Sequence, residues 1–256
     1  MKKLLLLLLI VPVLGFSQGE QRYADGIATD QDGNTFEWIN YGTQDWAIEN
    51  AEVVTYRDGT TIPQVTDATE WANLTTGAWC YEENNPNKRK LYNWYAVMGI
   101  HDNDPTTWDK NFAPNGWEVP SDYKWNIFEN FLISNNYNYD GTNSDNKIGK
   151  SIASTTGWQG STNEGAVGND QSLNNISGFN ISPLGTRGSD GTLDNTNGWS
   201  SVFWSTTLLN SNNDYVWVRH IQNFIVSSGR TVFDKPSGFA VRFMREASTA
   251  STDKYS

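Results

Sequence analysis

Two histidines and one cysteine are the side chains of this 256-residue chain best suited to acid–base or nucleophilic chemistry. His101 lies in a polar segment between Ile100 and Pro105, and His220 lies in a predicted strand. Neither has a base or a nucleophile near it in the sequence. Because a hydrolytic triad needs a nucleophile, a base and an orienting group held together, the pattern identifies no catalytic residue.

The single cysteine, Cys80, cannot form an internal disulfide. Its neighbours Trp79 and Tyr81 are aromatic, and free cysteines are among the most buried residues in proteins. We therefore expect Cys80 to be a small buried apolar side chain. A reactive, accessible thiol is the alternative.

Paired carboxylates would offer another route to catalysis. Glycosidases place two Asp or Glu side chains about 5–10 Å apart across a cleft. The candidates here are Glu82, Glu118, Glu129 and Glu164, and their spacing selects no pair. An enzyme acting on envelope or extracellular polysaccharide therefore stays as an alternative without assigned catalytic residues.

Two polar clusters contain the hard oxygen ligands that calcium prefers. The first consists of Asp102 and Asp104, and the second of Asp140, Asn143 and Asp145. Asp and Asn are also the commonest turn formers, so each cluster fits either a calcium site or an ordinary turn. Calcium is accordingly the one cofactor that the sequence brings into consideration.

The elements that would position these residues are mostly short strands joined by turns, because the chain has 22 glycines and only 18% charged residues. Asp32-Gly33 predicts a hairpin turn. Asp67, with Glu70 three residues later, predicts the start of a helix that runs to Leu74. Ser121 predicts the cap of a second helix, whose apolar stripe consists of Trp125, Phe128, Phe131 and Leu132.

The second half of the chain alternates between loop and strand. The stretch 140–197 is rich in Gly, Asn, Ser and Thr and is predicted to be a long loop region. Its predicted anchors to the core are Ile148, Ile152, Trp158, Phe179, Ile181 and Leu184. Period-2 patterns then predict strands over residues 201–205, 214–221, 224–226 and 238–244.

The amino-terminal end predicts export. Lys2 and Lys3 precede an apolar run from Leu4 to Leu14 and small residues before Gln18, which is typical of a secretory signal peptide over residues 1–18. We expect a single domain over residues 19–246, a disordered tail over 247–256 and no membrane span after cleavage. The product would be secreted or periplasmic, or held at the cell surface. A net charge of -11 disfavours nucleic acid and anionic membranes as partners.

Ordered sequence blocks carry a family resemblance. They include Asp32-Gly-Asn-Thr-Phe36, Leu91-Tyr-Asn-Trp-Tyr-Ala-Val97, Gly116-Trp-Glu-Val-Pro-Ser-Asp122, Phe203-Trp-Ser-Thr-Thr207 and Gly238-Phe-Ala-Val-Arg242. Together they resemble the Fibrobacter succinogenes major paralogous domain from about residue 25 to 246. That resemblance implies an α+β, C-type-lectin-like fold with two short helices, a twisted antiparallel sheet and a long loop region. It implies no activity. Ala113 and Phe243 stand where relatives often carry cysteines, which fits apolar packing in place of a disulfide.

Aromatic residues make up 13% of the chain, and an indole ring can stack on the apolar face of a sugar. Tryptophans within the family blocks are expected in the core: Trp94, Trp117, Trp125 and Trp204. Tryptophans in polar loops are expected to be exposed: Trp108, Trp158 and Trp199. The candidate ligand contacts are Trp158, Asp190, Asp194, Trp199, Asn212, Asn213, Tyr215 and Arg219.

These observations predict a non-catalytic binding or adhesion module that presents polar loops on a rigid scaffold. Its partner would be a glycan or a surface protein. The alternatives are the polysaccharide-active enzyme described above and a structural surface protein.

Overall fold

A computed structural model of the chain describes residues 18–104, 110–195, 197–210 and 214–248. Nearly all of the predicted signal peptide and most of the predicted tail lie outside these residues. So do Trp108, Asn212 and Asn213, which the sequence suggested as exposed or ligand-contacting side chains. Across the described part of the chain, no helix is both long enough and apolar enough to span a membrane.

The strands are short, and every pairing between them is antiparallel. The described residues form β1 (Gly26–Thr29), β2 (Thr35–Tyr41), β3 (Gln44–Ala47), β4 (Trp79–Tyr81), β5 (Lys90–Tyr92), β6 (Thr186–Arg187), β7 (Leu193–Asp194), β8 (Ser200–Leu208), β9 (Tyr215–Gln222), β10 (Gly229–Asp234) and β11 (Met244–Glu246). They make a four-stranded sheet in the order β1-β2-β3-β11, a three-stranded sheet β10-β9-β8, and the pairs β4-β5 and β6-β7.

The helices of the described residues are few and short. They are α1 (Ala68–Ala72), α2 (Trp94–Val97), α3 (Asp122–Ser134) and α4 (Gly149–Ile152), with 3-10 turns at Glu82–Asn84 and Gln171–Leu173. The predicted α+β class is therefore confirmed, with sheets dominating. The sequence predicted only α1 and α3, because a single turn such as α2 or α4 is too short to show a helical period.

Both predicted helices begin at their predicted caps. The Asp67 carboxylate accepts a hydrogen bond from the Glu70 amide at 2.8 Å, and the Ser121 hydroxyl accepts one from the Lys124 amide at 3.2 Å. Each cap satisfies an amide that has no partner inside the helix. The buried residues of the predicted α3 stripe are Trp125, Phe128 and Leu132.

The predicted Asp32-Gly33 hairpin is confirmed, since β1 pairs with β2 in a register that sets Thr29 opposite Thr35. Gly33 has a φ of 86°, a backbone conformation that glycine adopts without steric cost. Two strand predictions are wrong. Residues 224–226 lie in the turn between β9 and β10. Gly238, Phe239 and Ala240 pair only through isolated bridges, and residues 241–243 have no bridge before β11 begins at Met244.

Two hydrophobic clusters form the core, and β8 contributes to both. Phe203 belongs to the first cluster, whereas Val202 and Trp204 belong to the second. Alternate side chains of a strand point to opposite faces, so β8 is a wall shared by the two clusters. The predicted core tryptophans are all buried: Trp94, Trp117, Trp125 and Trp204. The predicted loop anchors are buried as well: Ile148, Ile152, Trp158, Phe179, Ile181 and Leu184.

Candidate functional site

A cleft of about 510 Å³ lies where three segments that are distant in sequence meet. The segment after β3 contributes residues 48–52, the connection from β4 to β5 contributes residues 81–90, and the long loop region contributes residues 180–184. Arg242, just before β11, completes the lining. We call this feature the Glu52 cleft. Its volume falls within the usual range for small-molecule sites, about 300–1,000 Å³.

Opposite charges line the Glu52 cleft. Its cations are Lys88, Arg89, Lys90 and Arg242, and its carboxylates are Glu49, Glu52 and Glu82. The Lys90 ammonium lies 2.9 Å from one oxygen of Glu52 and also sits over the rings of Trp79 and Tyr81, 5.3 and 5.4 Å from their centroids. Arg89 approaches the other Glu52 oxygen at 3.7 Å. One carboxylate thus holds two cations beside a half-buried tyrosine ring.

Arg242 is the deepest charge of the cleft, with a relative exposure of 2%. Its guanidinium donates to the backbone carbonyls of Ala47 at 3.1 Å, Phe179 at 3.3 Å and Asn180 at 3.4 Å. No carboxylate of the described residues lies within 4.0 Å of it. Burial lowers the pKa of Arg242 to about 9, although Glu49 opposes the shift. A buried cation without an ionised partner carries an uncompensated desolvation cost.

Unpaired acceptors lie in the same cleft. The Asn50 side-chain oxygen and Oε1 of Glu52 are buried, and neither accepts a hydrogen bond from the described residues. Nε of Arg242 likewise has no acceptor there. Burial also raises the pKa of Glu49, although its carboxylate accepts a hydrogen bond from the Glu37 amide at 2.8 Å. Buried polar atoms are normally hydrogen-bonded, so these three atoms are exceptions beneath the surface of the cleft.

The Glu52 cleft continues into two neighbouring hollows. The hollow beside the β1–β2 hairpin, about 70 Å³, shares Glu49, Asn50, Glu52 and Arg89 with it. The hollow on the other side is about 430 Å³ and reaches Thr156, Gly157, Asn195, Asn197 and Gly198 of the long loop region. The three together form a groove across this face of the protein.

None of the described ligand contacts proposed from the sequence lines this groove. Trp158 was expected to be exposed, and that expectation is wrong because it is 5% exposed and belongs to the first core cluster. The Gln171 side chain holds the backbone of Trp158. It donates to the Trp158 carbonyl at 2.8 Å and accepts from the Trp158 amide at 3.1 Å. Trp158 therefore anchors the loop in the core, although its neighbours in the sequence are polar, and it is not a binding platform.

Trp199 is 53% exposed, as expected, and packs edge-on against Phe224, which is 44% exposed, at 6.5 Å between ring centroids. Tyr215 is also exposed, at the start of β9. Asp190 and Asp194 lie on the surface of the β6–β7 hairpin, where Asp190 accepts hydrogen bonds from Thr192. A ligand role for these residues stays a prediction.

Arg219 was also proposed as a ligand contact, but it is 1% exposed and held by carboxylates. Its guanidinium lies 2.6 Å from Asp122 and 3.0 Å from Glu129, both on α3, and donates to Asn126 at 2.6 Å. Arg230 makes two further bonds of 2.8 Å to Asp122. Arg219 thus ties the three-stranded sheet to α3 and is not available to a ligand.

The proposed calcium ligands do not converge. Within the described ranges, no group of three or more His, Cys, Asp or Glu side chains is arranged to hold a metal ion. The Asp140 carboxylate lies 2.6 Å from the Lys147 ammonium and accepts from Thr142 at 2.7 Å. Asn143 and Asp145 are exposed in the same turn. In the other cluster, Asp102 lies 2.8 Å from His101 and accepts the Asp104 amide at 2.9 Å. Both clusters form turns stabilised by their own carboxylates.

The remaining chemistry-bearing side chains have structural contacts. Cys80 is buried, as predicted, and burial raises the pKa of its thiol although Arg187 opposes the shift. Burial, reinforced by Arg219, lowers the pKa of His220. Among the carboxylates considered for catalysis, Glu129 binds Arg219, and Glu82 accepts the Gly185 amide at 2.6 Å.

The sequence matches a known protein family over most of its length. The Fibrobacter succinogenes major domain matches residues 39–245. The chain belongs to this family. No curated protein matches it, and no solved structure does.

The family match contains every residue of the Glu52 cleft, whereas β1 and the β1–β2 turn precede it. Ala113 and Phe243, where the family resemblance suggested lost cysteines, are both buried in the second core cluster. Apolar packing therefore occupies both positions in this member of the family.

The Glu52 cleft could not be found from the sequence, because its lining comes from segments about 30 to 190 residues apart that carry no shared motif. The one available signal was the run Lys88-Arg-Lys90, three cations in an acidic chain. A charge run is ordinarily a solvated surface feature, and nothing in the sequence indicates that a carboxylate and two aromatic rings enclose this one.

Proposed function

We propose that this protein is an exported, non-catalytic binding module that takes a saccharide in the Glu52 cleft. The observation that carries the proposal is a cleft of about 510 Å³ whose lining places polar and charged side chains, among them Asn50, Glu52 and Arg89, beside the ring of Tyr81. A sugar hydroxyl both donates and accepts, so it can serve acceptors such as the Glu52 carboxylate, whose side chain is 22% exposed, and donors such as the Arg89 guanidinium, whose side chain is 58% exposed.

Tyr81 adds an apolar face to this polar site. Its ring is half-buried in the cleft lining and meets Trp79 edge-on at 5.0 Å between centroids. An aromatic surface beside a few placed polar groups is the usual composition of small-ligand sites. The half-buried ring would pack against the apolar face of a sugar while Asn50 and Glu52 meet its hydroxyls.

The same proposal extends to fold family and location. We assign the α+β architecture, with its long anchored loop region, to the C-type-lectin-like superfamily, and residues 1–18 to a cleaved secretory signal. Amino-terminal sequencing of protein recovered from expressing cells would test the second assignment, since an uncleaved amino terminus contradicts it.

Binding can be tested by screening the purified chain on a glycan array, with titration calorimetry on the hits. We expect Tyr81→Ala and Asn50→Ala to weaken the best hit about tenfold or more, a loss of about 1.4 kcal/mol. Tyr215→Ala and Trp199→Ala are matched controls, because these exposed aromatic residues lie outside the groove.

Three outcomes would contradict the proposal. If no glycan on the array binds the protein, a saccharide is not its ligand. Loss of binding in the controls and not in the cleft variants moves the site to the surface near Trp199 or Tyr215. Release of new reducing ends from a bound oligosaccharide would show turnover and favour a polysaccharide-active enzyme.

A further inference from the structure

The Glu52 cleft is cationic relative to the rest of the molecule. The chain carries a net charge of -11, yet four cations and three carboxylates line this cleft. Walls of low dielectric constant concentrate the field of such charges in a cleft. Lys88 is paired with Glu83 at 3.7 Å, so the positive charge that an anion would meet in the cleft comes from Arg89 and Arg242.

Ion pairs within the protein already neutralise part of this lining. Glu52 contacts both Lys90 and Arg89, and Glu82 accepts the Gly185 amide while remaining 8% exposed. Glu49, the third carboxylate, bonds the Glu37 amide. These amide bonds leave Glu49 and Glu82 charged, but neither lies within 4.0 Å of Arg242, which has no ionised partner at contact distance among the described residues.

Arg242 and Arg89 are placed differently in the cleft. Arg242 is buried, with backbone carbonyls as its acceptors and an unpaired Nε. The Arg89 side chain is 58% exposed and approaches Glu52 only at 3.7 Å. One cation supplies a fixed positive potential from below, and the other can turn toward a ligand at the rim. Guanidinium groups bind planar oxyanions with strong, charge-assisted hydrogen bonds.

We propose that the saccharide bound in the Glu52 cleft carries an anionic group, a carboxylate or a sulfate ester, which binds Arg89 at the rim within the positive potential of Arg242. This inference rests on the proposed function and specifies its ligand class. The anionic group neutralises the cationic side of the lining, while the hydroxyls of the same saccharide meet Asn50 and Glu52.

Paired ligands test the inference by calorimetry at low and at high salt. Galacturonate oligomers are compared with their methyl esters, and dextran sulfate is compared with dextran, so that the two pairs separate carboxylate from sulfate. We expect the anionic member of one pair to bind at least about tenfold more tightly than its neutral partner, because hydrogen bonds to charged groups are the stronger ones. Added salt should reduce this preference.

Arg89→Gln and Arg242→Lys are the test variants, and both should reduce the preference for the anionic ligand. Lys124→Gln is the control, because Lys124 lies outside the groove and pairs with Glu246 on the surface. It removes one positive charge, as Arg89→Gln does, and should leave the preference unchanged. If Arg242→Lys fails to fold, the Arg89→Gln result decides alone.

The outcomes separate the inference from the proposed function. If neutral and anionic ligands bind equally and Tyr81→Ala loses both, the inference of an anionic ligand is wrong. The proposal of a saccharide-binding module is then still supported. An anionic preference that falls equally in Lys124→Gln reflects overall charge and also overturns it. If none of the four ligands binds and no glycan on the array binds, both proposals are contradicted.

Discussion

At the scale of the residue, buried cations are held in two ways. Arg219 is neutralised by carboxylates on α3. Lys150, Arg187 and Arg242 are held by backbone carbonyls, and no carboxylate of the described residues lies within 4.0 Å of them. Removing a partner from a buried ion pair leaves an uncompensated charge, whereas losing a carbonyl-bound cation frees neutral acceptors. The two kinds of site should therefore respond differently to substitution.

Arg219→Met should lower the free energy of unfolding by about 3–5 kcal/mol, because Asp122 and Glu129 would lose their buried partner. Arg230→Met is the matched control: Arg230 binds the same Asp122 but its side chain is 41% exposed, so its loss should cost about 1 kcal/mol or less. Urea denaturation of both variants measures the difference. Equal losses would contradict the role assigned to burial.

Two carboxylates of this network should respond to pH with opposite signs. Burial acts to raise the pKa of Asp122, but hydrogen bonds from Arg230 and Arg219 together lower it. Its stabilisation is present above about pH 4 and is lost as the pH falls through the folded-state pKa. Burial raises the pKa of Glu129 despite Arg219. Its contribution is present at low pH and is lost as the pH rises through the raised pKa.

Denaturation across the acid range can separate these effects. The stability of the native protein minus that of Asp122→Asn should grow from about pH 2 to pH 5, and the same difference for Glu129→Gln should shrink above about pH 4. If the stability difference changed with pH in the same direction for both variants, the assignment would be refuted.

At the scale of the element, local signals in the sequence proved reliable where the structure depends on neighbours in the chain. The Asp67 and Ser121 caps and the Asp32-Gly33 turn act within a few residues, so their patterns predict the elements directly. β10 was missed because it is an edge strand whose residues are all partly or fully exposed. Such a strand lacks the buried alternation on which strand prediction depends.

The wrong prediction for Arg219 has a different physical cause. Its partner Asp122 lies 97 residues earlier in the chain, and the period of β9 places Arg219 on the same side as exposed Tyr215. Only the packing of α3 against the sheet buries Arg219 and leaves Tyr215 exposed. Site residues defined by such long-range contacts lie beyond what one sequence can predict.

Lys150 holds the long loop region to α4. Its ammonium contacts the carbonyls of Asn169 and of Asp170, the latter at 3.0 Å, and burial lowers its pKa although Asp170 opposes the shift. Lys150→Met should raise hydrogen exchange of the amides at residues 167–169 by about tenfold or more, because opening of the loop would cost less. Lys147→Met, which removes contacts with Asp140 and Thr142 in a surface turn, is the control and should leave these amides unchanged.

At the scale of the whole molecule, β8 joins the two hydrophobic clusters into one unit. Phe203 packs in the first cluster and Val202 in the second. Disrupting either cluster moves the same strand and therefore affects the other. The shared wall predicts that the described chain unfolds as one cooperative domain, as the sequence suggested for residues 19–246.

Phe203→Ala and Val202→Ala should each lower stability, by about 3–5 and 1–3 kcal/mol, because both remove buried apolar groups. In both variants, tryptophan fluorescence and far-UV circular dichroism should report one coincident transition. A second transition appearing in only one variant would show that the clusters unfold independently.

The carbonyl acceptors of Lys150, Arg187 and Arg242 have a consequence for sequence change. A backbone carbonyl is present whatever side chain its residue carries, so most substitutions at positions such as Thr66, Asn169 and Asn180 leave the acceptor in place. Fixing three cationic positions therefore leaves the connecting loops free to diversify. This protein is accordingly a natural starting scaffold for loop libraries, in which new recognition surfaces could be selected without redesigning the anchors.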